Sequence, residues 1–213
     1  MSKIVLFQGD SITDCGRSRE DNNALGHGYA SMAGGRVLYE NAGEYTVYNK
    51  GISGNRIVDL YARIKSDVIN LKPDYMSILI GVNDVWHEIN WNNGVETAKF
   101  EKIYDMFIEE VKTELPNIKI VILEPYVVEG RATMNDEEHP DRYERFRSGV
   151  DEKRAVAKKL AEKYNLKFIP LAQLFDEAEA KVKGIWTTDG VHPTPAGHAL
   201  IADAWMKVFN ELK

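Results

Sequence analysis

Five short apolar runs, at 4–7, 45–48, 75–80, 118–123 and 166–171, punctuate this chain. Each is continuous rather than alternating, the pattern of a strand covered on both faces in a parallel sheet. Longer amphipathic segments separate them, at 28–40, 55–71, 96–114, 141–164 and 195–212. The third of these sets Phe100, Ile103, Phe107 and Val111 on one stripe at helical spacing. Strand and helix in strict alternation predict a doubly wound α/β domain, and right-handed crossovers distribute the helices over both sheet faces.

No Ser/Gly linker and no internal repeat divides the 213 residues, so the expectation is one domain over 1–213. Apolar residues make up 44 % and charged residues 28 %, which excludes a disordered polymer, a collagen or a coiled-coil rod. The formal charge of −6, with no basic block, removes the counterion-release drive for nucleic acid. No stretch approaches the ~18 apolar residues of a membrane span. Cys15 is the single cysteine, so no internal disulfide can form. The apolar run at 4–7 is too short for a signal peptide, and the expected location is cytoplasmic. One long irregular stretch, 126–140, follows the fourth run; it is read as either a lid or a contact surface for another subunit.

In open α/β sheets ligands bind beyond the carboxyl ends of the strands. Four such ends carry Gly beside a hydroxyl, amide, carboxylate or imidazole: Gly9-Asp10-Ser11, Ser53-Gly54-Asn55, Gly81-Val82-Asn83-Asp84 and Asp189-Gly190-Val191-His192. One turn of this kind means little, whereas four on one edge of one sheet define a site. Ser11 is the nucleophile candidate. Gly9 lets the chain leave the strand sharply, and Ser11 then falls where unpaired backbone N–H groups can stabilise an anion. Read singly, Asp10 and Ser11 fit a helix cap equally well. Asp189 and His192 stand three residues apart, so the carboxylate can accept from the ring N–H and fix its tautomer. Thr194 and Pro195 form a good helix start just beyond.

Acyl transfer needs donors aimed at a developing oxyanion. The backbone N–H of Ser11, the backbone N–H of Gly54 and the Asn83 side-chain amide would supply three. Asn83-Asp84 also fits an Asx turn, and Asp84 a brace between loops. His27, His87, His139 and His198 lack metal-ligand spacing, so no metal is expected. Cys15, with no histidine evidently tied to it, reads as a small packing residue. Trp86, Trp91 and Trp186 lie near the Asn83 and Asp189 turns and suit either a sugar ring or core packing. The G-x-S-x-G, G-x-x-x-x-G-K-[ST] and G-x-G-x-x-G patterns are absent.

The set Gly9-Asp10-Ser11, Gly54, Gly81-x-Asn83-Asp84 and Asp189-x-x-His192 resembles the SGNH hydrolases, also called the GDSL esterase/lipase family. That resemblance covers nearly the whole chain. It implies a flavodoxin-like three-layer α/β/α sandwich on a five-stranded parallel sheet. It implies Ser11, Asp189 and His192 as a catalytic triad, with Ser11, Gly54 and Asn83 as the oxyanion hole and Asp10 and Asp84 in support. The segments 9–17, 49–55 and 81–86 look most like the intracellular acetylxylan esterases of the family. Such relatives deacetylate xylo-oligosaccharides and often form oligomers, so the implied partners are a small acetylated carbohydrate and further copies of the chain. No cofactor is implied. Two competing readings are a lysophospholipase or thioesterase acting on longer acyl chains, and a carbohydrate-binding protein that kept the fold without the chemistry.

Overall fold

The computed structural model describes residues 2–213. Strand β1 (Lys3–Gly9) leads into a single helical turn, α1 (Ser11–Asp14), and then α2 (Tyr29–Glu40) and β2 (Tyr45–Asn49). Two short helices, α3 (Ile57–Ala62) and α4 (Ile64–Asp67), and a 3₁₀ turn at Ile69–Leu71 precede β3 (Tyr75–Leu79). Next come α5 (Val82–Trp91), α6 (Thr97–Glu114), β4 (Lys119–Leu123), α7 (Arg142–Lys163) and β5 (Lys167–Ile169). The chain ends with α8 (Leu171–Lys181) and α9 (Pro195–Leu212). The strands form one parallel sheet in the order β2-β1-β3-β4-β5.

Helices on the two faces bury two separate cores. On one face Phe7 packs against Tyr29 of α2 and Trp205 of α9, with ring centroids 5.7 and 4.9 Å apart. On the other, Leu6, Ile78 and Ile122 pack with Ile57 and Leu60 of α3, Phe100 and Phe107 of α6 and Leu160 of α7. Adjacent residues of β1 thus enter opposite cores, which is why the run at 4–7 is apolar without alternation.

Three elements depart from the sequence expectation. The single helix expected over 55–71 is broken at Arg63, whose guanidinium turns to donate to the carbonyls of Lys50 and Gly9 and to Asp67. No helix is expected between the third run and 96, yet the segment there forms the helix α5, with Val82, Val85, Trp86 and Ile89 against the core. The fifth run yields only three strand residues, because Leu171 already opens α8, buried through Leu171, Ala172, Phe175 and Ala178.

Phe7 is fully buried between two helices of one layer. Truncating it leaves a cavity at the centre of that layer, and Phe7→Ala should lower unfolding stability by about 3–5 kcal/mol. A urea titration with an unchanged slope and a shifted midpoint is the expected result.

Candidate active site

Because β1 lies between β2 and β3, the loop leaving β1 is flanked by the loops leaving those two strands. Gly9 ends β1 in close contact with the Thr13 hydroxyl and the Leu79 carbonyl, so a side chain there would strike both. The Asp10 carboxylate caps α1, accepting from the Ile12 amide at 3.0 Å. Ser11 is therefore the first residue of a helical turn at the rim, with its amide directed out of the turn. Among the described residues no protein group accepts from the amide of Ser11 or from that of Gly54. Gly54 has φ of +82°, a left-handed conformation, and nothing lies within 4 Å of where a Cβ would stand. Asn83 sits in the first turn of α5, and one of its amide protons goes to the Asn55 carbonyl at 3.2 Å. Its second proton leaves a donor for a ligand.

His192 arrives from the other end of the chain. Its ring Nδ1–H donates to Asp189 Oδ2 at 2.8 Å, while Asp189 Oδ1 accepts from the amides of His192 and Val191 at 2.9 and 3.0 Å. An ionised carboxylate cannot donate, so Nδ1 carries the proton and Nε2 holds a free lone pair. The Ser11 hydroxyl lies 2.9 Å from Nε2, in position to donate to it. Burial raises the Asp189 carboxyl, but its hydrogen bonds from the His192 ring and the two amides outweigh burial and hold it down at about 2. The same ring–carboxylate bond raises His192 above the ordinary histidine value.

The turn at 189–192 is clamped from below. The stretch 126–140 begins as buried structure, with Tyr126, Val127 and Val128 in the core. The Tyr126 hydroxyl donates to the Val191 carbonyl at 2.9 Å, and the amides of Val128 and Ala132 donate to the carbonyls of Gly190 and Asp189. Buried Thr133 closes the bend by bonding the Val128 carbonyl and the Gly130 amide. The first half of this stretch is thus a seat for the Asp189–His192 turn. The sequence singled out its length but not Tyr126 or Thr133; an aromatic directly after a strand and Pro125 was the available signal.

Asp10 and Asp84 are both buried, and burial pushes each carboxyl up to about 7. Asp10 Oδ2 has no partner among the described residues. Asp84 accepts from the Ile57 amide at 3.1 Å and so ties α5 to the segment that follows Gly54. Of the three tryptophans, Trp86 reaches the site, its ring 5.7 Å from that of His192. Trp91 does not: it is 64 % exposed at the far end of α5, against His87. Trp186 donates from Nε1 to the Val182 carbonyl and packs against the core beneath the 193–197 turn.

Cys15 does have a histidine partner, contrary to expectation. His198 Nδ1 accepts from the Tyr29 amide at 3.1 Å, so Nε2–H points at the Cys15 sulfur, 3.4 Å away. Burial lowers His198 to about 4 and raises the Cys15 thiol. The pair is a neutral packing contact rather than an activated thiolate. Among the described residues no group of three or more His, Cys, Asp or Glu is arranged to hold a metal ion. No helix among them is long and apolar enough to cross a membrane.

The model of the GDSL-like lipase/acylhydrolase family matches residues 7–200. The chain belongs to that family and is a carboxylic ester hydrolase. It is 36 % identical over 212 residues to an acetylxylan esterase of Geobacillus stearothermophilus, covering 95 % of this chain and 92 % of that one. A solved structure of an acetylxylan esterase from the same organism superposes with a TM-score of 0.82 at 34 % identity, over 96 % of this chain and 93 % of that one. An α/β hydrolase from the metagenome of Lake Arreo superposes with a TM-score of 0.84 at 27 % identity, over 100 % and 98 %.

Two histidines on neighbouring elements should titrate in opposite directions. An NMR titration should place the His192 ring above the ordinary value of 6.5 and His198 near 4. Asp189→Asn removes the largest contribution that raises His192, so its titration should move to lower pH, while His198, held down chiefly by burial, should move less.

Proposed function

We propose that the protein hydrolyses short-chain esters, acetyl esters of xylo-oligosaccharides in the first instance, through Ser11, His192 and Asp189. The observation that carries this reading is the unbroken hydrogen-bonded series from Asp189 through His192 to the Ser11 hydroxyl, at 2.8 and 2.9 Å. Structures of the related acetylxylan esterase include catalytic mutants at a serine and at an aspartate, the two residue types at the ends of that series.

His192 Nε2 takes the Ser11 proton as Oγ attacks the ester carbonyl carbon. The carbonyl π electrons move to oxygen, and the resulting oxyanion accepts from the Ser11 amide, the Gly54 amide and the Asn83 Nδ2 donor. Collapse of this intermediate breaks the bond to the sugar oxygen, which leaves with the proton from His192. Water then repeats the sequence on the acyl-enzyme: His192 takes its proton, and acetate departs as Ser11 is reprotonated. Asp189 stays ionised throughout, holding the ring and stabilising the imidazolium. Trp86, beside His192, offers a flat apolar wall for a pyranose ring.

Ser11→Ala should remove turnover of p-nitrophenyl acetate, and Asn83→Ala should lower kcat by roughly 10²–10³. The acid limb of kcat/KM should follow His192: activity is lost as pH falls below its raised pKa, because the base is then protonated. A p-nitrophenyl ester series should show a steep loss beyond propionate, and acetylated xylo-oligosaccharides should release acetate. Activity that climbs toward octanoate would instead make the protein an acylhydrolase of longer chains. Near wild-type turnover by Ser11→Ala would overturn the assignment.

A further inference from the structure

The loop between β2 and Gly54 is held in large part by side chains. Arg63 donates to the Lys50 carbonyl at 2.8 Å, and Arg17 and Arg19 both donate to the Gly51 carbonyl, at 2.7 and 2.8 Å. The Gly51 amide goes to Asn49 Oδ1, and the Ile52 amide to the Gly9 carbonyl. At Ser53 one atom closes the series. Asp14 Oδ2 accepts from the Ser53 amide at 3.0 Å, the Ser53 hydroxyl at 3.0 Å and Arg19 Nη2 at 2.6 Å. The next amide along the chain, that of Gly54, is the first left unclaimed by the protein.

Asp14 is the last residue of α1, the turn that opens with Ser11, and its own amide donates to the Asp10 carbonyl. One helical turn therefore carries the Ser11 hydroxyl at its start and the anchor of the Gly54 loop at its end. The side chain of Asp14 is 6 % exposed, so its charge-assisted bonds operate in a partly dried environment where they are stiffer than in water. Gly54 itself, lacking a side chain and set at positive φ, brings no packing of its own to fix the direction of its N–H. That direction is set by the turn that contains it, closed by the Asn55 amide on the Ile52 carbonyl at 3.1 Å and held at Ser53 by Asp14.

We propose that Asp14 and Ser53 are positioning residues for the reaction: Asp14, clasping Ser53 and tethered by Arg19, sets the distance between the Gly54 N–H and the Ser11 hydroxyl. The proposal rests on Gly54 being an oxyanion donor. Its effect falls on the tetrahedral state, because the oxyanion lies where the ground-state carbonyl oxygen does not.

The test compares Ser53→Ala, Ser53→Thr, Asp14→Asn and Asn83→Ala in p-nitrophenyl acetate hydrolysis, with melting temperatures measured alongside. Ser53→Ala, an exposed loop residue exchanged for a smaller one, keeps the variant set interpretable should Asp14→Asn fail to fold. Ser53→Ala should lower kcat on the order of 10-fold with KM and melting temperature nearly unchanged, as expected for a misplaced donor. Ser53→Thr, which retains the hydroxyl, should recover most of that loss. A folded Asp14→Asn should fall at least as far as Ser53→Ala, with the same split between kcat and KM. If Asn83→Ala loses kcat while Ser53→Ala does not, the positioning role is wrong and the oxyanion site stands. If Asn83→Ala also keeps full kcat, the oxyanion reading fails and the positioning role with it.

Discussion

Parallel pairing of β1 between β2 and β3 is the constraint from which the site follows. It brings three strand ends to one rim side by side, and it leaves the backbone beyond each end without a ladder to satisfy it. The protein meets that need with polar side chains that converge on the same place. Asn49 bonds the carbonyls of Thr13 and Leu25, Asp14 takes Ser53, and Asp84 takes the Ile57 amide. Two of the amides left without a protein acceptor are that of Ser11 itself and that of Gly54 on the neighbouring loop. Satisfying the rim and leaving donors free there are thus two outcomes of one arrangement.

The second half of the site comes from the opposite end of the chain. The Asp189–His192 turn precedes α9, whose Trp205 packs on Phe7 of β1. Burial of α9 against β1 therefore carries His192 toward Ser11, and the 126–133 bend supports the turn beneath. Charge is handled asymmetrically across the rim. Asp189 is held ionised by three donors, while Asp10 and Asp84, with fewer donors and deeper burial, are pushed up to about 7. A negative charge is concentrated where it can stabilise an imidazolium, and the two deeper carboxyls are the ones that burial discharges first as pH falls.

Much of this was legible in the sequence because the relevant signals are local. Continuous apolar runs reveal strands covered on both faces, and the glycine-bearing turns mark where β1, β2 and β3 stop, whereas the Asp189–His192 turn, expected at a strand end, lies between α8 and α9. Helix α9 begins at Pro195 as Thr194 and Pro195 indicate. What was not legible depends on tertiary contact. The break at Arg63 answers to two carbonyls on other elements, and periodicity alone carries no trace of it. Helix α5 was hidden because its first turn doubles as a motif of Gly, Asn and Asp, residues that elsewhere mark turns. Helix α8 was missed because its opening Leu171 completes an apolar run begun by β5. The Cys15–His198 contact joins positions 183 residues apart, and no spacing rule reaches that far.

The central claim is that His192 makes the Ser11 hydroxyl a nucleophile. It is tested most directly by phosphonylation with a fluorophosphonate ester, followed by peptide mapping and by the rate of labelling in a His192→Ala variant. The account predicts one phosphonyl group per chain, on Ser11, with Cys15 unmodified, and labelling slowed by several orders of magnitude when the imidazole is gone. Modification elsewhere, or a Ser11 labelled as fast without His192 as with it, would contradict it.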